Sequence, residues 1–285
     1  MKLSQYEHIV ISPDEKYALH GLTMLNSLVS NNSGIRFMIH ILDGGISHKS
    51  KIKLQLFFIK NRLKYRFYKI NYKEINNAPT HGHISLSAYS RLFLATVINK
   101  EINKVLYLDC DLIVVKKINS LLNTNIEDFF IAASEEKISY DLNNKLELDG
   151  SLYFNSGVML INLKKWRNEN IESKFVDFIK NKSEKIKYWD QDVLNYCLKN
   201  KWLRLPQKYN LTHFYFYPND YTPSYFGLNE TQYEETQKDP IIIHFTSHQK
   251  PWIEGCKHPQ KDLYYQYQLT FKQLLFGKLK ILSEN

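Results

Sequence analysis

Short β-rich apolar runs alternate with amphipathic stretches over the first 115 residues, and this rhythm limits the fold more than any other feature. HIVIS (8–12) reads as a strand, and ALHGLTMLNSLVSNN (18–32) follows with Leu22, Leu25, Leu28 and Val29 at helical spacing. IRFMIHILDGG (35–45) is a second strand ending in a Gly-Gly turn, and Ser47 is a candidate cap for the helix after it. YRFYKINY (65–72) is a third strand, SAYSRLFLATVI (87–98) a helix and KVLYLDCDLIVV (104–115) a fourth strand. A βαβαβαβ order of this kind predicts an α/β fold: a doubly wound parallel sheet flanked by helices, whose central strands are continuously apolar.

The second half is more mixed. FFIAAS (129–134), YFNSGVMLINL (153–163) and IIIHFTS (241–247) read as strands, while WRNENIESKFVDFIKNKS (166–183) and DQDVLNYCLKN (190–200) read as helices. No repeat, low-complexity run or Pro/Gly-rich linker interrupts the chain, which predicts one compact domain over 1–255 and a tail over 256–285.

The net charge is +9, which suits an anionic partner such as nucleic acid, a phosphorylated ligand or an acidic membrane. A lysine-rich surface without such a partner has the same charge. Cys110, Cys197 and Cys256 stand far apart, outside any CxxC pair, which argues against a disulfide framework and a thiolate zinc site. A reducing cytosol is the simplest compartment for them. The first residues lack a secretory apolar region, and no run reaches the roughly 18 uncharged apolar residues of a membrane span. The expectation is a soluble or peripheral protein.

Asp109 and Asp111 interrupt the apolar run 104–115. Carboxylates at i and i+2 of an extended chain share one face, and a hard divalent cation would relieve their repulsion and bridge to a phosphate. Two solvated acids at a strand end are the other reading, and DQD at 190–192 is a second such pair. HFTSHQKPW (244–252) adds an imidazole at the end of an apolar strand, followed by Lys250. An Asp/Asp/His set suits Mn²⁺ better than Mg²⁺, and a lysine suits a phosphate. Taken alone, His244 could equally be a satisfied core histidine.

YLDCD, YFNSGVMLINLKKW, WDQDVLN and HFTSHQKPW, in this order and spacing, resemble the family 8 glycosyltransferases. The resemblance runs from about residue 8 to 255 and is nearest to bacterial galactosyl- and glucosyltransferases that extend lipopolysaccharide or lipooligosaccharide cores. It implies a GT-A fold, a retaining transfer from a UDP-hexose (galactose or glucose) and a Mn²⁺ cofactor, with Mg²⁺ as the alternative ion. By that resemblance Asp109, Asp111 and His244 bind the metal, and Lys250 contacts the diphosphate. Asp14 reads the uracil edge, Tyr17 lies by the nucleotide, and Lys16 departs from the more usual asparagine. Arg91 reaches the donor sugar and phosphates, and Asn155 and Ser156 lie near the sugar. Asp190 holds sugar hydroxyls and Gln191 lies under the ring, where an amide in place of a carboxylate favours front-face transfer. Asp192 is the fallback nucleophile. Ser247 stands where the family commonly has glycine, and Glu136 where it often has aspartate. His83 matches a position near the acceptor cleft; His81 and His83 are read as loop residues.

The tail, DLYYQYQLTFKQLLFGKLKIL (262–282), interleaves aromatic and aliphatic residues with Lys272, Lys278 and Lys280. Such a segment can lie on an anionic membrane surface or pack on the domain. The expected partners are a UDP-hexose and a lipid-linked oligosaccharide acceptor, at the inner face of the cytoplasmic membrane. The alternatives are a glycoprotein or capsule acceptor, or a non-catalytic basic protein that binds membrane or nucleotide. No helix-turn-helix, RRM or zinc-finger pattern supports nucleic-acid binding, and neither GxGxxG nor GxxxxGK[ST] is present.

Overall fold

The computed structural model describes residues 3–80, 86–217 and 221–276; His81, His83, Lys278 and Lys280 lie outside that set. The strands are β1 (Glu7–Ile11), β2 (Phe37–Leu42), β3 (Lys64–Tyr68), β4 (Lys104–Leu108), β5 (Leu112–Val114), β6 (Ile131–Glu135), β7 (Phe154–Asn162), β8 (Trp202–Leu205), β9 (Leu211–Thr212) and β10 (Ile242–His244). Seven form one sheet in the order β3-β2-β1-β4-β7-β6-β8, and the other three a small sheet in the order β5-β10-β9.

Strands β3, β2, β1 and β4 are parallel, as the alternating pattern predicts. The sheet then departs from that pattern, because β7 runs antiparallel to both β4 and β6. The fold is therefore a mixed α/β sandwich. Every residue of β2 is buried, as are all but the last of β7, which fits strands covered on both faces. The chain order reverses between β1 and β4, and the carboxyl ends of strands at such a reversal form a ligand crevice.

The run 104–115 is two strands, not one. Asp109, Cys110 and Asp111 connect β4 in the large sheet to β5 in the small one. Carboxylates cannot take interior positions of a sheet covered on both faces without partners, so the chain changes sheets where they occur. Residues 87–98 also differ from the expected α-helix. Leu86–Phe93 is a 3₁₀ segment, and only Leu94–Val97 is α-helical. The buried Glu172 carboxylate accepts from the amides of Ala95 (2.6 Å) and Thr96 (3.2 Å), and the α-helix begins at Leu94 after the N-cap Phe93. The segment 166–183 breaks at Asn170, whose φ of 45° separates helices Leu163–Asn168 and Ile171–Asn181.

Ser47 caps helix His48–Lys60 by accepting from the Ser50 amide at 3.2 Å. Beyond residue 255, helices Lys261–Tyr267 and Phe271–Phe276 lie against the domain. Tyr264 and Tyr267 are buried. His20 Nδ1 pairs with the Tyr264 hydroxyl at 2.6 Å, and Asn26 Nδ2 donates to the Tyr267 carbonyl at 2.8 Å. No helix among the described residues is long and apolar enough to cross a membrane.

Candidate active site

A cleft of about 700 Å³ opens at the carboxyl ends of β1 and β4. Its floor holds the group that the Asp-x-Asp spacing and the HFTSHQKPW segment point to. Strand β10 pairs antiparallel with β5, placing His244 opposite Leu112 and beside the Asp109–Asp111 connection. His244 Nε2 lies 3.1 Å from Asp111 Oδ1 and 3.8 Å from Asp109 Oδ2. One ligand atom from each of Asp109, Asp111 and His244 falls within 4.8 Å of the others. Two carboxylates and one imidazole nitrogen make a hard-to-borderline donor set, which fits a divalent ion such as Mn²⁺. Strand β7 passes so close that a Cβ on Gly157 would lie 2.2 Å from His244 Cε1. Glycine is thus required at 157 by close approach.

Around this group the charges interlock. Lys250 Nζ sits 2.5 Å from Asp111 Oδ2 and 2.6 Å from the Phe245 carbonyl. Burial opposes ionisation of Asp111, yet Lys250 and His244 hold its carboxyl well below the usual carboxylate range. Arg91 is buried rather than displayed on a helix surface. Its Nη2 meets Asp109 Oδ1 at 2.8 Å, its Nε meets Asp190 Oδ2 at 3.1 Å, and it lies over the Tyr107 ring. Nη1 donates to the Ser156 carbonyl at 2.9 Å. Burial raises the Asp190 pKa to about 6, against the pull of Arg91.

Residues 8–256 match the profile described as Glycosyl transferase family 8. The chain belongs to this family. General stress protein A of Bacillus subtilis is 32% identical over 272 residues, covering 94% of each chain. A lipopolysaccharide 1,2-glucosyltransferase of Escherichia coli is 28% identical over 277 residues, covering 93% of this chain and 79% of that one. The crystal structure of the galactosyltransferase LgtC in complex with donor and acceptor sugar analogues superposes with a TM-score of 0.79. It is 25% identical and covers 93% of this chain and 98% of its own. The fold is that of the GT-A glycosyltransferases.

In this glycosyltransferase, Asp14, Tyr17, Arg91, Asn155, Gln191, Ser247 and Lys250 all line the cleft together with Asp109 and Asp111. Asp14 Oδ1 accepts from the Tyr17 amide at 3.0 Å, which fixes the loop after β1. Burial, then the Asp111 and Asp14 charges, push the Tyr17 hydroxyl up and keep it neutral. Ser156 lies just below the surface, its Oγ donating to Asp190 Oδ2 at 3.1 Å.

Lys16, Ser156, Asp190, Asp192 and His244 are not lining residues of the cleft, and the last four are buried. Lys16 is exposed. Asp192 is fully buried: its Oδ1 accepts from the Tyr153 hydroxyl, and its Oδ2 from the Lys187 and Tyr188 amides, all at 2.6 Å. The two carboxylates of DQD are separated because both lie in helix Trp189–Cys197, where positions i and i+2 do not face the same way. Gln191 Oε1 accepts from the Ser156 amide at 2.9 Å, and its Nε2 donates to Glu136 Oε2 at 2.9 Å. Burial raises the Glu136 pKa.

Ser247 has φ of 69°, in the left-handed region that glycine adopts freely. The backbone here keeps a glycine-like course with serine in place, and Ser247 Oγ accepts from the Gln249 amide at 3.3 Å. Tyr107 and Tyr153 open the YLDCD and YFNSGV motifs but carry no role readable from the sequence, and Asn210 lies outside every motif. Each is one polar residue in an apolar or loop segment, and only the fold shows its partners.

Proposed function

We propose that this glycosyltransferase moves a hexose, galactose or glucose, from a UDP-sugar to a lipopolysaccharide or lipooligosaccharide core acceptor, with retention and with Mn²⁺. The observation that carries the reading is the Asp109–Asp111–His244 group on the floor of a cleft that also presents Lys250 and Arg91. The lipopolysaccharide glucosyltransferase relative and the galactosyltransferase neighbour support the substrate class.

Asp109, Asp111 and His244 would hold the ion, which supplies Lewis-acid neutralisation of the leaving diphosphate. Lys250 sits on the same side of the cleft and adds a second positive charge for those phosphates. Asp14 and Tyr17, after β1, receive the uridine. Arg91 fixes Asp109 and Asp190 relative to each other, so the metal group and the sugar floor move as one unit. Gln191 presents an amide, which is a poor nucleophile, and Asp192 is spent on the Tyr153 hydroxyl and two backbone amides. This supports front-face transfer, in which the leaving phosphate takes the acceptor proton and Gln191 steadies the developing positive charge. Glu136 keeps Oε1 for a sugar hydroxyl, since its Oε2 already accepts from Asn155 and Gln191. Exposed Tyr188 and Tyr225 at the mouth offer faces for acceptor sugars.

The tail supports attachment at the inner face of the cytoplasmic membrane. Phe271, Leu275 and Phe276 are exposed on helix Phe271–Phe276 beside Lys272, a pattern suited to an anionic lipid interface.

The test is Mn²⁺-dependent hydrolysis of a panel of UDP-sugars by the purified protein, with Asp111→Ala alongside. One UDP-hexose should be hydrolysed slowly, and the variant should lose about 10³-fold or more, since a metal site contributes several kcal/mol. Equal hydrolysis by Asp111→Ala would contradict the metal assignment. No turnover of any UDP-sugar would favour a non-catalytic binding role.

A further inference from the structure

Behind His244 lies a hydrogen-bond chain in which every donor and acceptor can be assigned. It starts at a backbone N–H, whose direction is not in question. The Gly157 amide donates to Asn155 Oδ1 at 2.9 Å, so the Asn155 carbonyl must face it. Asn155 Nδ2 then donates to Glu136 Oε2 at 2.9 Å. Asn210 Nδ2 also reaches Asn155 Oδ1 at 2.9 Å, which requires the Asn210 amino group on that side. The Asn210 carbonyl is left facing His244 Nδ1 at 2.9 Å. A carbonyl oxygen only accepts, so His244 Nδ1 must carry the proton.

The consequence falls on the other ring nitrogen. A neutral imidazole has one N–H, so Nε2 is left with a lone pair. It points at Asp111 Oδ1 (3.1 Å) and Asp109 Oδ2 (3.8 Å), which are lone-pair atoms as well. Three electron-rich atoms facing one point match a cation. Asn210 itself is completely buried and is not a lining residue of the cleft, which it reaches only through Asn155.

We infer that Asn210 is a positioning residue that holds His244 in its Nδ1–H form and so keeps Nε2 open to a divalent cation. The inference rests on the metal reading of the Asp109–Asp111–His244 group proposed above. Outer partners that fix a histidine ligand's tautomer are typically worth about 10–100-fold in metal affinity. The same chain continues through Glu136 to Gln191 Nε2 at 2.9 Å, so the ring orientation of His244 and the amide of Gln191 share one set of hydrogen bonds.

The experiment pairs two variants with two readouts. Asn210→Leu keeps bulk and removes the acceptor; Asn210→Asp keeps an acceptor for Nδ1–H. The ¹⁵N shifts of the His244 ring, recorded in metal-free protein at alkaline pH, report the tautomer. Mn²⁺ titration followed by electron paramagnetic resonance reports affinity. Wild type and Asn210→Asp should show the Nδ1–H form. Asn210→Leu should pass to the Nε2–H form, donating to Asp111, and bind Mn²⁺ about 10–100-fold more weakly, with Asn210→Asp within a few-fold of wild type. A wild-type Nε2–H form would overturn the inference, even if Asn210→Leu failed to fold. So would Asn210→Leu binding Mn²⁺ like wild type, or losing no more than Asn210→Asp, as a packing role would give. Wild-type protein with the Nδ1–H form but no Mn²⁺ binding would overturn the metal reading and leave the tautomer assignment in place.

Discussion

An alanine at position 157 is expected to destroy metal binding while the sheet stays assembled. Its Cβ would lie 2.2 Å from His244 Cε1, 2.8 Å from His244 Nδ1 and 2.8 Å from Asp109 Oδ2. All three are far inside van der Waals contact. The imidazole cannot simply swing aside, because Nδ1 is held by Asn210 and Asn210 is buried. The backbone cannot retreat either, because the Gly157 carbonyl accepts from the Asp109 amide at 2.8 Å within the central strands. The ligands must separate, and a misplacement of about 1 Å can cost on the order of 100-fold in rate. Donor hydrolysis should therefore fall about 100-fold or more in Gly157→Ala, and Mn²⁺ affinity should fall with it. Wild-type Mn²⁺ affinity in Gly157→Ala, with circular dichroism unchanged, would show that His244 is not a ligand.

Each buried histidine should drain stability as the pH falls below about 6.5. His8 and His40 form a buried chain across β1 and β2: His8 Nδ1 lies 3.0 Å from His40 Nε2, and His40 Nδ1 lies 2.8 Å from the Tyr68 hydroxyl. Burial, then the neighbouring His8 and Arg66, lower the His40 pKa to about 3; burial likewise lowers His20 and His258 to about 4. The unfolded value is about 6.5. Below it the unfolded chain binds protons that the folded chain refuses, so stability falls as pH falls. Each such histidine contributes a slope of about 1.4 kcal/mol per pH unit until its folded pKa is reached. Asp190 opposes this: burial raises it to about 6, so the folded state takes up its proton first and gains stability from pH 6 downward. Raised Glu136, Asp192 and Glu172 act in the same sense as Asp190. Asp111, held low, acts with the histidines. The separable quantity is the histidine slope. In urea unfolding between pH 6 and 4.5, His40→Asn should flatten the pH dependence by about 1.4 kcal/mol per unit, whatever it does to the plateau. An unchanged slope would mean that His40 titrates normally in the folded protein.

Much of this site can be read from the chain, and the parts that cannot share a physical cause. Asp109, Asp111 and His244 are legible because an apolar run tolerates carboxylates only where something holds them, and because four ordered motifs resemble one family. The parallel half of the sheet follows from the regular alternation up to residue 115. The antiparallel β7 does not, since continuous burial on both faces looks alike in either direction. The split of 104–115 between two sheets was hidden by its even hydrophobicity on either side of Asp109–Asp111. The depth of Arg91 follows from Asp109, Asp190 and Ser156, partners that lie far along the chain and that no local pattern announces. Asp190 and Asp192 are indistinguishable as an extended pair and opposite in the structure, because the segment is a helix whose i and i+2 positions diverge and only Asp190 meets Arg91. Asn210 has no signature at all. Its role is a matter of which atom faces which, and spacing carries no such information.

The central claim is that Asp109, Asp111 and His244 hold a divalent ion through which the diphosphate of the donor binds. The most direct test is calorimetric titration of UDP into the protein with Mn²⁺ and again with chelator, for wild type and His244→Ala. The account predicts that wild type binds UDP at least about tenfold more tightly with Mn²⁺, and that His244→Ala loses this enhancement. Equal UDP affinity with and without Mn²⁺ in the wild type would contradict it.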